Sequence, residues 1–583
     1  MHLPVEPIKQ RVSSVLTTWL KLGKKYLNKL KLWQTIFILL VAIFFLLPIV
    51  TILKLALFSE VVNNYKEFAI DNIWKHLLAT TLPSYIKNSF ILIFLTGFYS
   101  LILGVATAWI VSHYHFYTRK IVTWALILPF SIPTYISAYI YADFLDYSGP
   151  LQIWVRTVLE VERASEYYFP SIRSLGGASI IMTLALYPYV YLLARKAFYE
   201  HSASLARAQE LMGISGLRGF FKISLPLARP AISVGVILVV LETLNDFGAV
   251  EYLAVHTISI GVYNLWLNLN DLTSAARLAC LTLIVVCSII YLEHVSRRAQ
   301  EQYQKEASYY DPPRNHPSRF IKVLLAFFCW IPIILGFIIP VSILVVYTIA
   351  NYALFFEDNF IKYISNTLAL SLWAAGFSTL IAVTLAYLER NQKSRFISSV
   401  SQFVNLGYAI PGTIVAIGII IPFGIFDNWF DAKMELFFGL RPGLILSGTG
   451  GAIIFAYIVR FSSISLGSTR SSLKKISMSI DQSGKLFGYN DRQIITRIHL
   501  PLLKKSILTG FLIVFIDSMK ELSATIILRP FDFETLATYI YAFASNELIE
   551  EAAAACLLLI LVGLIPIYLI TQTFIQDNHK SMH

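Results

Sequence analysis

Four carboxylates and one lysine lie in apolar stretches, where a charge is costly, and they are the best candidates for chemistry in this sequence. Glu242 and Asp246 are four residues apart, as are Asp517 and Glu521, and Lys520 follows Asp517 by three. On a helix, a spacing of four puts both carboxylates on one face, and Lys520 is close enough to Asp517 for a local ion pair. Charges at membrane depth usually mark substrate or ion pathways. We interpret the five as a candidate hydrophilic passage or gate, with tethering between helices as the alternative.

The composition places these charges in a membrane protein. Of the 583 residues, 56% are hydrophobic and 14% are charged, whereas a soluble domain has about 25% charged residues. A soluble globular domain, a disordered chain, a collagen-like fibre and a small disulfide scaffold are therefore excluded. The formal net charge is +12, but the basic residues lie at the ends of apolar runs and form no single patch. This distribution favours a lipid bilayer, and not nucleic acid, as the partner.

Apolar windows of roughly 20 residues, the length that crosses a bilayer, predict an all-α polytopic membrane protein with about twelve transmembrane helices. Lys and Arg concentrate in alternate connecting segments, and the positive-inside rule then puts both termini in the cytoplasm. The first apolar window follows a long basic segment and lacks a small-residue cleavage site, so we expect a retained membrane anchor and not a signal peptide. The predicted spans lie near 35–57, 89–112, 121–142, 176–194, 230–250, 275–292, 322–347, 367–388, 400–423, 443–460, 506–528 and 552–573.

Two halves of the chain repeat the same landmarks. Tyr85-Ile-Lys-Asn-Ser89 recurs as Tyr363-Ile-Ser-Asn-Thr367, and Ile223-Ser-Leu-Pro-Leu227 recurs as Ile498-His-Leu-Pro-Leu502. Because an even number of spans separates the copies, the sequence predicts two parallel six-helix repeats that enclose a path between them. The predicted parts are a basic cytoplasmic segment (1–34), the first repeat (35–295), a cytoplasmic linker (296–321), the second repeat (322–575) and a cytoplasmic tail (576–583).

A matched motif lies in one long basic cytoplasmic loop of each repeat, 195–229 and 461–505. In both loops a glycine is followed by nine residues and then Ile-x-Leu-Pro. A short helix ending at a glycine with positive φ, a second helix, and a backbone reset at Leu-Pro would account for this pattern. The residues concerned are Arg207, Ala208, Gly213, Leu225 and Pro226 in the first loop and Gln482, Gly484, Gly488, Leu500 and Pro501 in the second.

This motif resembles the coupling-loop (EAA) signature of ABC importer permeases. Its duplication in one chain resembles the fused permeases that serve ferric iron, with thiamine permeases as close relatives. The segments Asn245-Asp-Phe-Gly-Ala-Val-Glu-Tyr252 and Met519-Lys-Glu-Leu-Ser-Ala-Thr525 are most similar to the ferric-iron branch. The leading Glu-Ala-Ala of the signature is replaced by Arg207-Ala208-Gln209 and by Gln482-Ser483-Gly484, while the Gly and Leu-Pro positions are kept.

The resemblance implies a multi-pass inner-membrane permease whose coupling loops insert into two copies of a separate ABC ATPase, with a periplasmic substrate-binding protein on the other side. The sequence contains no G-x-x-x-x-G-K-[ST], the motif that cradles ATP phosphates. We therefore expect ATP on the partner subunit, no cofactor on this chain and no enzymatic activity of its own. The expected function is import of ferric iron by ATP-driven alternating access.

Other interpretations remain open from the sequence. The same architecture could import thiamine, a phosphonate or another small solute, and two parallel halves with buried carboxylates also suit an ion-coupled secondary transporter. A membrane-embedded enzyme is disfavoured because the sequence has no catalytic constellation. Ferric iron is a hard cation that oxygen ligands suit, but no metal ligands are assigned. Tyr139, Tyr141 and Tyr147 could supply phenolate oxygens or belong to an interfacial tyrosine belt.

Overall fold

A computed structural model describes residues 32–58, 67–199, 216–298, 316–352, 358–392 and 394–580, and no β-strand occurs in these ranges. Long helices follow from the apolar sequence, because a backbone in lipid must satisfy its own hydrogen bonds. The main helices are α1 (Leu32–Leu57), α2 (Leu82–His113), α3 (Thr134–Leu145), α4 (Leu175–Tyr199), α5 (Phe220–Asn245), α6 (Leu272–Arg298), α7 (Arg319–Ala350), α8 (Asp358–Asn391), α9 (Gly412–Phe438), α10 (Gly451–Lys475), α11 (Ile494–Met519) and α12 (Ile549–Lys580).

Ten of these helices, α1, α2 and α4–α11, are each long and apolar enough to cross a membrane, counting only the described part of the chain. The third predicted span, 121–142, is not one straight helix. The segment Arg119–Ser131 meets the helical stretch Thr134–Leu159 at 90°, because Ile132-Pro133 interrupts the helix. The 32-residue helix α12 lies where the last span is predicted.

Three predicted boundaries were wrong for local reasons. The span predicted at 230–250 ends at Asn245, since Asp246 is extended with φ −69° and ψ 129°. The span predicted at 443–460 begins only at Gly451 and runs to Lys475, because backbone N–H groups at 446 and 447 bind the side chain of Asp427 instead of joining a helix. The span predicted at 400–423 is divided at Pro411, after which α9 begins.

The two halves repeat one arrangement. In the first half α2, α4 and α5 pack together, and in the second half α8, α10 and α11 do the same. The first helix of each half reaches across to the other: α1 packs on α6 and on α9, and α7 packs on α12 and on α3. The halves are therefore held together by two equivalent sets of contacts, those of α1 and those of α7. The space between the two three-helix groups lies along the approximate two-fold axis that relates the halves.

The apolar side chains divide between a core and an outer surface. Tyr187 and Tyr191 of α4 are buried and donate hydrogen bonds to backbone carbonyls at 126 and 123, at 2.8 and 2.5 Å. By contrast, Phe90, Phe94 and Phe98 form an exposed stripe along one face of α2. Continuous exposed apolar stripes of this kind are typical of surfaces that face lipid.

Candidate functional site

A cavity of about 150 Å³ lies between the two halves. All five charged residues singled out from the sequence line it, and both halves contribute to its wall. The cavity is also lined by Asn245, which begins one of the segments similar to the ferric-iron branch, and by three residues that the sequence did not single out: Arg460, Tyr189 and Tyr408. The predicted charged residues are Glu242, Asp246, Asp517, Lys520 and Glu521.

The ends of α5 and α11 position the carboxylates, and here the prediction of two carboxylates on one helix face was wrong. Helix α5 ends at Asn245 and α11 ends at Met519, so the second carboxylate of each pair lies beyond its helix. Asp246 Oδ1 accepts a hydrogen bond from Ala249 N at 2.8 Å. Glu521 Oε2 accepts one from Ala524 N at 3.0 Å. These two side chains therefore bind the start of the next short helix, and only Glu242 and Asp517 project from the spans themselves.

Glu242 is held by a phenol from the other half. Tyr408 donates a hydrogen bond to the Glu242 carboxylate, and its oxygen lies 3.2 Å from the oxygen of Tyr189. When the Ile-Pro landmarks at 132–133 and 410–411 are aligned, the residue that corresponds to Tyr408 is Phe130, which has no hydroxyl to offer. Accordingly Asp517, the counterpart of Glu242, has no hydrogen-bond partner among the described residues, although it lines the same cavity.

The ion pair predicted between Lys520 and Asp517 was wrong. In the described structure, Lys520 Nζ does not lie within 4.0 Å of a carboxylate oxygen of Asp517. Lys520 Nζ instead donates to the carbonyl oxygen of Phe130 at 3.3 Å and lies 5.5 Å from the centre of its ring. The lysine therefore connects the end of α11 to the first half, and the carboxylate of Asp517 stays open to the cavity.

Glu521 has a buried cationic partner that its counterpart lacks. Arg460 of α10 forms an ion pair with Glu521, and both side chains are buried. The pair fits because Gly412 has no side chain: a Cβ there would lie 2.5 Å from Glu521 Oε1 and 2.9 Å from Arg460 Nη1.

In the first half, the corresponding carboxylate of Asp246 is bound without a cation. Thr134 follows its Ile-Pro landmark just as Gly412 follows the second one, and it donates to Asp246. Leu186 corresponds to Arg460 when the Gly-Gly-Ala sequences at 176–178 and 450–452 are aligned. A threonine hydroxyl thus does in one half what an arginine does in the other. With four carboxylates against Arg460 and Lys520, the formal charge around the cavity is predominantly acidic.

At the end of the molecule away from the 461–505 loop, the two halves are joined by polar contacts. Arg173 of the first half lies 3.1 Å from Asp146 and reaches Glu547 of the second half at 3.4 Å. Tyr541, also of the second half, donates to Glu251 of the first half at 3.0 Å. The halves therefore meet on this side of the cavity through bonds that a rocking motion would have to break.

The second of the two predicted coupling loops contains a short exposed helix, Met478–Leu486. Gly488 follows it with φ +80°, as the sequence predicts for a glycine that ends a helix. Gly484 is buried, and a Cβ there would lie 3.2 Å from the Ile498 side chain, so this glycine lets the helix approach the Ile-x-Leu-Pro segment closely. The side chains of Leu486 and Phe487 at the tip are 88% and 83% exposed.

The backbone reset predicted at Leu-Pro was wrong in both repeats. Leu225 and Leu500 keep helical φ and ψ, and each follows a π-helical turn, Phe220–Ser224 and Ile494–His499. A π turn absorbs the disruption within a helix, so Pro226 and Pro501 lie in the first turn of a continuous helical rod. Of the other predicted coupling residues, Gln482 is exposed on the short helix, whereas Arg207, Ala208 and Gly213 lie outside the described residues.

An ionic cluster that the sequence reasoning missed fixes this short helix to the spans. Asp481 accepts a hydrogen bond from Arg390 Nε at 2.9 Å and pairs with His499 Nε2 at 2.8 Å. Burial alone would raise the pKa of the Asp481 carboxyl, but the bonds from Arg390 and His499 outweigh it and lower that pKa below its usual range. The carboxylate is therefore ionised at neutral pH.

The structure brings together no metal-ligand cluster in the part of the chain that it describes, taking groups of three or more His, Cys, Asp and Glu. Tyr139 and Tyr141 are buried in the core, so the prediction that they belong to an interfacial tyrosine belt was wrong. Tyr141 donates to the carbonyl of Leu335, and Tyr147 donates to the carbonyl of Glu162 at 2.9 Å. Those two phenols are thus already engaged by backbone oxygens.

Comparison with known proteins matches this architecture. The chain is 23% identical to the Fe(3+)-transport system permease protein FbpB 2 of Haemophilus influenzae, over 93% of this chain and 98% of that protein. It is also 23% identical to the ferric transport system permease protein FbpB of Actinobacillus pleuropneumoniae, over 86% and 72%. The sulfate transport system permease protein CysW of Escherichia coli is 23% identical over 36% of this chain and 72% of its own length.

A family description matches the chain twice, at residues 100–301 and 378–578. The two matches fall in the two halves and together cover more than half of the sequence, in agreement with the duplicated helical arrangement. The chain belongs to the family of binding-protein-dependent transport system inner membrane components.

Proposed function

We propose that this chain is the complete membrane pathway of an ABC importer that moves ferric iron from a periplasmic binding protein to the cytoplasm. Two relatives that align over most of the chain carry ferric transport in their names. The sequence has no motif for binding ATP phosphates, so the energy comes from a partner.

The observation that carries the proposal is the cavity between the halves, lined by carboxylates at equivalent positions of the two repeats. Glu242 and Asp517 project into it from corresponding places on α5 and α11. Carboxylate and phenol oxygens suit a hard cation such as Fe³⁺, and the acidic residues outnumber the basic ones four to two. An anionic cargo would instead be repelled by this excess of carboxylates.

The short helix Met478–Leu486, called the coupling helix from here on, gives evidence for an ATPase partner. Leu486 and Phe487 form an apolar tip at the end of Met478–Leu486, and exposed apolar tips of this kind fit grooves on a protein partner. Two loops with the same motif call for two ATPase copies, one below each half. In this scheme the loops and both termini face the cytoplasm, the chain binds no cofactor, and ATP is hydrolysed on the partner.

Transport would proceed by alternating access. ATP-driven closure of the ATPase dimer would move the coupling helices and rock one half against the other. On the outer side, the Arg173–Glu547 and Tyr541–Glu251 contacts would part when the cavity opens to the binding protein, and re-form when it opens to the cytoplasm.

Uptake of radiolabelled ferric iron by cells with and without the gene tests the proposal, with labelled thiamine and sulfate measured in parallel. We expect iron uptake to disappear with the gene and to return on complementation. Loss of thiamine or sulfate uptake with unchanged iron uptake would keep the importer class and overturn the cargo. Iron uptake that follows the proton gradient and ignores depletion of ATP would instead favour a secondary transporter.

A further inference from the structure

Three charged or polar side chains connect the second coupling helix to the membrane helices. Arg390 lies at the end of α8, Asp481 lies on the coupling helix, and His499 lies in the π turn that begins α11. Their side chains are only 8%, 13% and 2% exposed. Ionic hydrogen bonds in a buried setting are about twice as strong as neutral ones, so this cluster holds the coupling helix firmly.

The same cluster also reaches α10. Arg390 Nη1 donates to the carbonyl oxygens of Leu473 and Ile476, at 2.6 and 2.9 Å, at the C-terminal end of α10. A cation at a helix C-terminus satisfies carbonyls that have no partner inside the helix. Because α8, α10 and α11 form the three-helix group of the second half, a push on the coupling helix is passed to all three helices at once.

The first half has no such residues at the matching positions. In the alignment of the two repeats, Ser112 corresponds to Arg390, and Ala206 and Ser224 correspond to Asp481 and His499. Ser112 and Ser224 are buried, and Ala206 lies outside the described residues. Neither serine nor alanine can form an ion pair, so this set of three residues is particular to the second repeat.

We propose that Arg390, Asp481 and His499 are positioning residues that transmit movement of the second coupling helix to the membrane helices of the second half. The inference rests on the proposed function, since it assumes that an ATPase pushes on the coupling helix. Movement of that helix is transmitted through the cluster to α8, α10 and α11. ATP hydrolysis and transport are then separable by breaking the cluster.

The test uses the full complex of permease, ATPase and binding protein in proteoliposomes, with iron uptake and ATP hydrolysis measured in the same vesicles. We expect Asp481→Ala to keep the ATPase bound and its hydrolysis within twofold of wild type, while iron moved per ATP falls at least tenfold. Asp481→Asn keeps an acceptor for Arg390 and should recover part of this ratio. Arg390→Gln should cause the same loss, and the double variant should lose no more, because partners in one network are not additive.

A neighbouring ion pair gives the matched control. Arg470 binds Glu389 through two bonds, at 2.9 and 3.0 Å, and joins α8 to α10. Among the described residues, neither side chain forms a hydrogen bond or ion pair with the coupling helix. Glu389→Gln should leave iron moved per ATP unchanged. Hydrogen exchange provides a second readout: amides of 478–486 should exchange faster in Asp481→Ala, while those of the first loop, 203–211, should not change.

Three outcomes would overturn the link. These are an unchanged ratio of iron to ATP in Asp481→Ala, a parallel fall of uptake and hydrolysis, or an equal loss in Glu389→Gln. If the proposed function itself is wrong, the wild-type complex will show no ATP-dependent uptake of iron. That result differs from all three outcomes above, because it is seen before any variant is compared.

Discussion

The buried pair of Arg460 and Glu521 gives a quantitative prediction for Arg460→Leu. Removing one partner of a buried ion pair costs about 3–5 kcal/mol, because the remaining charge stays out of water without compensation. Glu521 keeps its bonds from the backbone at 524 and 525, which favours the lower end of that range. A loss of about 3 kcal/mol corresponds to a change of roughly 100-fold in the folding equilibrium.

The first half supplies the compensating variant. There the matching residues are Leu186, Thr134 and Asp246, so Arg460→Leu combined with Gly412→Thr and Glu521→Asp rebuilds the first-half arrangement in the second half. We expect the triple variant to recover at least half of the lost stability. Gly412→Thr alone should destabilise, since its Cβ would come within 2.5 Å of Glu521 Oε1.

The free energy of unfolding can be measured by titrating the purified permease with sodium dodecyl sulfate in mixed micelles. Arg441→Leu is the control, because Arg441 pairs with Glu435 on an exposed surface, and surface pairs contribute little. The stabilising role of the Arg460–Glu521 pair would be excluded if Arg460→Leu cost less than about 1 kcal/mol, or if the triple variant were no more stable than the single one.

Three further predictions concern the coupling helix and the cavity. Gly488→Val should strain a backbone position with φ +80° by about 1–2 kcal/mol and reduce uptake while the permease still reaches the membrane; normal uptake would contradict this. Leu486→Ser with Phe487→Ser should weaken ATPase binding at least tenfold in a pull-down titration without changing the thermal stability of the permease, and unchanged affinity would remove these side chains from the interface. Asp517→Asn should lower iron uptake without loss of stability, because Asp517 has no hydrogen-bond partner among the described residues; wild-type uptake would exclude it from the pathway.

Features that depend on short stretches of sequence could be predicted. Apolar windows located most of the membrane helices in their correct order. The thickness of the bilayer sets how long an apolar stretch must be, and that length can be measured on a short segment of sequence. The repeat followed from motifs such as Ile223-Ser-Leu-Pro226 and Ile498-His-Leu-Pro501. The positive φ of Gly488 followed from its place after a short helix. The family matches at 100–301 and 378–578 fall in the two predicted halves.

Features that depend on neighbours distant in sequence could not be predicted. The ends of α5 and α11 are set by Asp246 and Glu521 binding the next short helix, inside runs that are apolar enough to continue as helix. Arg460 was missed because its partner is 61 residues away and its counterpart is a leucine. Lys520 was assigned to Asp517 by spacing, whereas the carbonyl of Phe130 in the other half competes for it. Hydrogen bonds between the two halves join residues far apart in the chain, so no periodic sequence pattern indicates them.

If the cavity between the halves opens to one side of the membrane at a time, the side from which a cavity residue can be labelled must change with the state of the ATPase. Ser523 lines the cavity and is largely buried, so Ser523→Cys can be introduced after the four native cysteines are replaced by alanine. Labelling with membrane-impermeant thiol reagents from either side would be compared in the full complex with and without trapped ATP. The native cysteines are Cys280, Cys287, Cys329 and Cys556.

A cysteine at Tyr168, which is 91% exposed, is the control and should react from the outer side in every state. We predict that Ser523→Cys reacts from the cytoplasmic side without nucleotide and from the periplasmic side when ATP holds the ATPase dimer closed. Reaction from the same side in both states would show that the cavity does not alternate between the two sides of the membrane.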